Sequence, residues 1–213
     1  MGTGQLAYSR GGAVLKVDGE FEGRSFDDKS FGEERFSGCQ FTGCSFRATR
    51  FEGATLERLS FTDCDLTGAR LGGGVLKGCI FVRCKLTNVR LAGATLSNSR
   101  LIECDLRGAE LSGAEITGSD FSHSDLTGQD LEGARLQGLR LVSADLRQVR
   151  FMGADLRDAV FDRAVLGGVS MKNADLRGAS FAGVDLRVVE LKGAKVDLAG
   201  AMQFARSHGL KVE

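Results

Sequence analysis

Tryptophan is absent, tyrosine occurs once and histidine twice. Neither His123 nor His208 has a nucleophile and an orienting acid beside it, so hydrolytic triad chemistry lacks its parts. A surplus of charge is also missing, since 28 basic residues balance 28 acidic ones. That balance removes any general attraction to nucleic acid or to a membrane surface. No run of 18 apolar residues occurs, and the start Met1-Gly2-Thr3-Gly4-Gln5 has neither a basic stretch nor an apolar one. The expected location is therefore cytoplasmic, with no membrane partner. The many glycines recur at intervals of five without the Gly-Lys-Ser/Thr of a phosphate-binding loop. No enzyme activity, catalytic residue, cofactor or metal is expected.

What is present is a period. From Phe21 to Val196 every fifth residue is apolar, 36 times in succession. With 42% of all residues apolar such a run is not chance, and five is neither the helical nor the strand period. The chain is therefore built of an internal repeat. Two residues before the apolar position the side chain is usually small, as at Ala54, Ala69, Ala94, Ala144, Ala154 and Ala174. Two residues after it, 19 of the 35 positions before Val196 are glycine, which suits a tight corner.

Segments such as Ala144-Asp145-Leu146-Arg147, Ala154-Asp155-Leu156-Arg157 and Ala174-Asp175-Leu176-Arg177-Gly178 resemble the A(D/N)LXX motif of the pentapeptide-repeat family over about four-fifths of the chain. The resemblance implies an all-β fold, a right-handed quadrilateral parallel β-helix with four pentapeptides per coil. The sequence carries its own sign of a 20-residue coil: seven of the 13 Phe at apolar positions share one column, namely Phe21, Phe41, Phe61, Phe81, Phe121, Phe161 and Phe181. Such rings would stack as an offset ladder. Nine coils at a strand spacing of about 4.8 Å make a rod on the order of 43 Å long.

The expected organisation is an N-terminal cap at 1–20, an uninterrupted β-helix at 21–196 and a C-terminal helix with a short strand at 197–213. Ala13–Val17 is a candidate strand over the open end, and Arg24, Lys29 and Glu34 replace the usual small residue in the first coil, as terminal repeats do. The six cysteines, Cys39, Cys44, Cys64, Cys79, Cys84 and Cys104, all take the small inward position, which makes them buried hydrophobes rather than disulfide or zinc partners. Ser119-Asp120-Phe121-Ser122-His123-Ser124-Asp125 reads as ordinary repeat surface.

Outward charges fall into columns 20 residues apart. One column carries Asp65, Asp105, Asp125, Asp145 and Asp185, with Asp27 and Asp28 near its start and Arg107, Arg147 and Arg187 two residues after three of the five. Another carries Arg50, Arg70 and Arg90, then Glu110, Asp130 and Arg150. Stacked like charges repel, so the acidic column is either neutralised locally or covered by a partner. At the C-terminus Asp197 is a candidate N-cap, Gly209 a candidate C′ residue, and Leu198, Ala201, Met202 and Ala205 share one helix face with Phe204 off it. This segment either plugs the last coil or joins two copies; with Phe204 otherwise exposed, a homodimer is expected through Leu198, Ala201, Met202, Phe204 and Ala205.

Within the family the length and the C-terminal helix resemble the proteins that protect DNA gyrase or topoisomerase IV from quinolones and other poisons by imitating duplex DNA. The resemblance implies an acidic-column site, antibiotic resistance or self-resistance as the role, and no direct nucleic-acid binding. The alternative is an interaction scaffold for a different protein. Over such a rod duplex DNA would present roughly 25 phosphate charges, whereas this chain is neutral.

Overall fold

The computed structural model describes residues 14–16, as backbone, and 19–211. Nine three-residue strands occupy its N-terminal half: β1 (Val14–Lys16), β2 (Glu20–Glu22), β3 (Arg35–Ser37), β4 (Gln40–Thr42), β5 (Thr55–Glu57), β6 (Ser60–Thr62), β7 (Val75–Lys77), β8 (Ile80–Val82) and β9 (Arg100–Ile102). They form two parallel sheets, β1-β3-β5-β7 and β2-β4-β6-β8-β9. Register follows the repeat, since Phe21 lies against Phe41, Phe41 against Phe61 and Phe61 against Phe81. Beyond β9 the pairing continues as single parallel bridges at the same 20-residue offset, as in Arg100 to Asp120, Arg140, Val160 and Ser180. Glu20, Gln40, Ser60, Ile80 and Arg100 precede these, so that side of the rod has nine levels. The structure is a four-sided parallel β-helix, and its sides are named below after their first apolar residue: the Phe21, Phe26, Phe31 and Phe36 faces.

The period of five arises from one corner per pentapeptide. Of the 35 residues two after an apolar position, all but Val188 have a φ between +51° and +76°, the left-handed region, and 15 of them are not glycine. The corner demands that conformation whatever the residue; glycine accepts it without the steric cost that a Cβ brings. Val188 escapes because Leu186–Val188 forms a single 3-10 turn.

Inside, the apolar residue and the small residue two before it are buried almost throughout. Phe21, Phe41, Phe61 and Phe81 stack with centroids 4.7–5.0 Å apart and planes within 15°. Phe161 and Phe181 repeat this at 5.0 Å, while Phe121 lies between Leu101 and Leu141. Within a coil the rings meet edge to face, as for Phe21–Phe26 at 5.9 Å and Phe31–Phe36 at 5.5 Å. Both geometries suit the ring quadrupole.

Polar residues at the small inward position share one task. Thr49 Oγ1, Ser99 Oγ, Ser119 Oγ and Ser124 Oγ donate to the carbonyls of Phe26, Leu76, Leu96 and Leu101, each 23 residues earlier, at 2.5–2.8 Å. The thiols of Cys44, Cys64, Cys84 and Cys104 occupy the equivalent place against Phe21, Phe41, Phe61 and Phe81 at 3.4–3.6 Å. These four cysteines stack on the Phe26 face, whereas Cys39 and Cys79 lie on the Phe21 face. All six are buried and free. Desolvation pushes the Cys79 thiol up to about 12, and the neighbouring Cys104 thiol pushes Cys84 to about 12. Since the thiolate is the reactive form, none of the six is expected to react within minutes with a maleimide in the folded protein, and all six on denaturation. Fast labelling of two or more without denaturant would contradict this burial.

The ends differ from the body. β1 adds a level beneath β3, with Leu15 opposite Phe36. Arg24 and Lys29 are exposed in the first coil, and the Arg24 guanidinium lies 5.6 Å from the Phe21 ring centroid. At the other end the helix α1 spans Leu198–Ser207. The expected terminal strand is not formed at Leu210 or Lys211, which pair with no neighbour; Val212 lies outside the described residues. Gly209, at φ +81°, turns the chain away from the rod.

Candidate functional site

Two surfaces were expected to carry function, the acidic column and the C-terminal helix. The first lies on the Phe26 face. Parallel bridges join Ser45, Asp65, Lys85, Asp105, Asp125, Asp145 and Val165 in that order. Asp105, Asp125 and Asp145 are thus contiguous, Lys85 separates them from Asp65, and Val165 separates them from Asp185.

Each aspartate precedes an inward leucine and serves the backbone first. Oδ1 accepts the N–H two residues on: Thr67 to Asp65, Arg107 to Asp105, Thr127 to Asp125, Arg147 to Asp145 and Arg187 to Asp185, at 2.9–3.2 Å. This local bond is the reason for Asp at the position. The second oxygen then meets a cation. Arg107 Nη2 reaches Asp105 Oδ2 at 2.6 Å and its Nε lies 3.4 Å from Asp125 Oδ2. Arg147 pairs with Asp145 at 2.5 Å, Arg187 with Asp185 at 2.7 Å and Arg47 with Asp65 at 3.5 Å. The arginine bonds hold the carboxyls of Asp105 and Asp145 below the usual range and that of Asp185 at about 2. With Lys85 counted, the five carboxylates are matched in number by five cations, so this run of aspartates is neutral as a whole. Within it the local excess of acid is at 105–145, where three carboxylates share Arg107 and Arg147; Asp27 and Asp28 adjoin at the start of the same face, where Asp27 accepts from Arg47 N at 2.8 Å.

The other faces are paired in the same way. Asp155–Arg157 and Asp175–Arg177 close at 2.6 Å on the Phe36 face, and Arg90–Glu110 and Arg150–Asp130 at 3.7 and 3.3 Å on the Phe31 face. Such exposed pairs add little stability. The Ser119–Asp125 stretch is absorbed into the coil: Ser119 and Ser124 are buried donors, Ser122 Oγ bonds Asp120, and His123 forms a corner at φ +61°. Among the described residues no group of three or more His, Cys, Asp or Glu is placed to hold a metal ion. Among the described residues no helix is long and apolar enough to cross a membrane.

The second surface is the C-terminal end. Asp197 joins helix to rod, with Oδ1 accepting from Gly200 N and Oδ2 from Gly178 N, both at 2.8 Å. Only Gly200 of α1 is buried. Leu198 is 78% exposed and Phe204 39%, Ala201 is exposed, and Met202 and Ala205 are half-buried. The helix therefore stands on the last coil without hiding its apolar side. Among the described residues seven large apolar side chains are exposed, and five of them, Val188, Val196, Leu198, Phe204 and Leu210, lie at this end. Sequence had singled out Leu198 and Phe204; Val188 joins them because the 3-10 turn replaces a regular corner.

Comparison with known proteins adds a family and a shape. Residues 17–91 and 55–131 match the model of the pentapeptide repeat region, and residues 119–158, 130–168 and 154–193 match pentapeptide repeats (8 copies). No curated protein sequence matches the chain. Among solved structures it is similar to a trypsin-treated variant of QnrB1, a plasmid-mediated fluoroquinolone resistance protein, at 23% identity over 91% of this chain and 98% of that one, with a TM-score of 0.81. Full-length QnrB1 matches at 22% identity over 90% and 100% of the two chains, with a TM-score of 0.54. Matched from residue 17 to residue 193 and paired coil on coil in steps of 20, the chain belongs to the pentapeptide-repeat family.

Proposed function

We propose that the protein is a non-enzymatic rod that binds a type II topoisomerase, DNA gyrase or topoisomerase IV, as a homodimer and protects it from poisons. The observation that carries this is the apolar end: a rigid rod of the QnrB1 fold with Leu198, Phe204 and Leu210 exposed at one tip offers a self-complementary contact that would double its length. Binding then rests on a local patch, because a neutral rod has no long-range field to steer it. The patch is 105–145 on the Phe26 face. Neutralising Asp105, Asp125 and Asp145 together as Asn keeps an oxygen acceptor for the N–H groups of Arg107, Thr127 and Arg147 and frees two guanidinium groups. The triple variant is expected to retain its circular dichroism spectrum and to lose about tenfold or more in protection of gyrase supercoiling against a fluoroquinolone, with a flatter salt dependence. Undiminished protection by the variant would remove the patch from the mechanism.

The neutrality of the aspartate column favours a second reading, an interaction scaffold for a different protein. It is chosen over the first if the wild-type protein leaves gyrase inhibition unchanged at micromolar concentration.

A further inference from the structure

Besides the bonds made by the corner N–H groups, such as Gly93 to Ser112 at 2.9 Å and Gly133 to Met152 at 2.8 Å, two series of backbone hydrogen bonds hold the coils together. The N–H of each apolar residue donates to the carbonyl 19 residues on, as Leu91 does to Glu110 and Leu131 to Arg150, both at 2.8 Å. The N–H just before it donates to the carbonyl 21 residues back, as Glu110 does to Val89 at 2.8 Å and Arg150 to Gln129 at 3.0 Å. Between the coil at 110–116 and the coil at 130–135 both series stop. Among the described residues, the N–H groups of Leu111, Gly113 and Ile116 on one lip, and of Asp130 and Arg135 on the other, have no hydrogen-bond acceptor. Arg90–Glu110 and Thr95–Glu115 bridge below the gap and Asp130–Arg150 and Arg135–Asp155 above it, but no bridge crosses it. Elsewhere the two series fail only between Leu166 and Asp185, at the 3-10 turn of the last coil.

A cavity of about 390 Å³ opens at this break, lined by 111–115 and 130–135. That size lies within the range of ligand pockets, about 300–1,000 Å³. Gln129 lies at its edge. On the Phe31 face the small inward position is filled by Val89, Ala109, Gln129, Val149 and Val169. Gln129 is the longest of these; it is buried, and its Nε2 donates to Leu106 O at 2.7 Å. Serine and threonine make the same 23-residue bond elsewhere with far shorter side chains. The longer amide fills this place at the edge of the slit, and the break begins at the residue after it.

We infer that this slit is a docking slot for a short extended peptide segment, bearing basic side chains, from a partner protein. An anion would find N–H donors there, but also the carboxylates of Glu115, Asp130 and Glu132 and the open carbonyls of the lips. A metal ion would find oxygens but be opposed by the N–H groups. An extended backbone supplies donors and acceptors at the two-residue spacing of Leu111 and Gly113, which is β-strand addition applied inside a solenoid. Three carboxylates against Arg135 on the lining set the preference for lysine or arginine, moderated by Arg150, which pairs with both Asp130 and Glu132. Access is open because Gly113 and Gly133 form the corners, with φ near +65°, and nothing but backbone lies near a Cβ there. The slot is separate from the gyrase proposal and holds whether or not that proposal does.

The test is amide hydrogen exchange on the full chain, alone and with an end-blocked Lys-Val-Lys-Val-Lys peptide or its backbone N-methylated counterpart. In the free protein the amides of Leu111, Ile116 and Arg135 are expected to exchange about a hundredfold faster than those of Leu91 and Leu131. The peptide should slow them about tenfold or more, and the N-methylated peptide should not. Gln129→Val or Gln129→Ala, which install the residue of the following coil (Val149) or of the preceding one (Ala109), should close the slit and abolish both effects. Equal exchange of slit and flanking amides in the free protein overturns the proposal. So does a slit that exchanges fast but ignores the peptide, which would then hold water only, or one that responds equally to both peptides.

Discussion

Phe61→Ala is expected to lower stability by about 3–5 kcal/mol and to split thermal unfolding into two steps. Phe61 is buried, stacked on Phe41 at 5.0 Å and Phe81 at 4.7 Å, with Phe46 edge-on at 5.5 Å. Truncation removes two stacking contacts and leaves a void that a closed coil cannot collapse, because every coil is tied to its neighbours by backbone bonds. A solenoid is stabilised by nearest-neighbour interfaces. Loss of one interface therefore uncouples the phenylalanine-rich coils below it from the leucine-rich coils above, and the N-terminal part should melt first. Phe121→Leu is the control. With Leu101 and Leu141 as its column neighbours, Phe121 belongs to no continuous ring stack, and that change should cost less than about 1.5 kcal/mol. Calorimetry distinguishes the two; a single transition in Phe61→Ala, shifted no further than in Phe121→Leu, would mean that the ring ladder contributes nothing beyond its bulk.

The rod was legible because one local rule recurs at every corner. The left-handed corner fixes where the chain turns, and the apolar residue two positions earlier fixes what points inward. Phe21 to Phe181 could therefore be assigned to one face by counting alone. The same counting would have stacked Cys44, Cys64, Cys84 and Cys104, and would have shown Lys85 and Val165 interrupting the aspartates. Grouping by residue type picks out the aspartates but not the residues that interrupt them. Asp197 and Gly209 were readable as helix ends because capping is local. The exposure of α1 was not, because an amphipathic pattern shows which face is apolar but not whether the last coil covers it. Gln129 is a long residue in a column of short ones, a departure the repeat pattern alone does not flag; whether a long residue tucks in or parts the coils is decided by packing in three dimensions.

Replacing Met202 and Phe204 together by Glu is expected to convert a dimer into a monomer without melting the rod. Both side chains sit on α1, with Phe204 exposed and Met202 half-buried, and neither belongs to the core cluster of the rod. Among the described residues the aromatic neighbour of Phe204 is His208, with centroids 4.2 Å apart. The tip exposes five large apolar side chains within a short span, an arrangement that points to a binding surface rather than to scattered surface leucines. Aromatic and methionine side chains at the centre of such an interface typically carry about 2 kcal/mol or more each. Two buried carboxylates without partners add a desolvation penalty to that loss. The combined change should weaken dimerisation by about a thousandfold or more at unchanged circular dichroism. Sedimentation velocity at 1–100 times the wild-type dissociation constant reads this directly. A wild-type chain that sediments as a monomer at micromolar concentration, or a double variant that remains a dimer, removes the helix from the interface and with it the doubled rod on which the proposed topoisomerase contact depends.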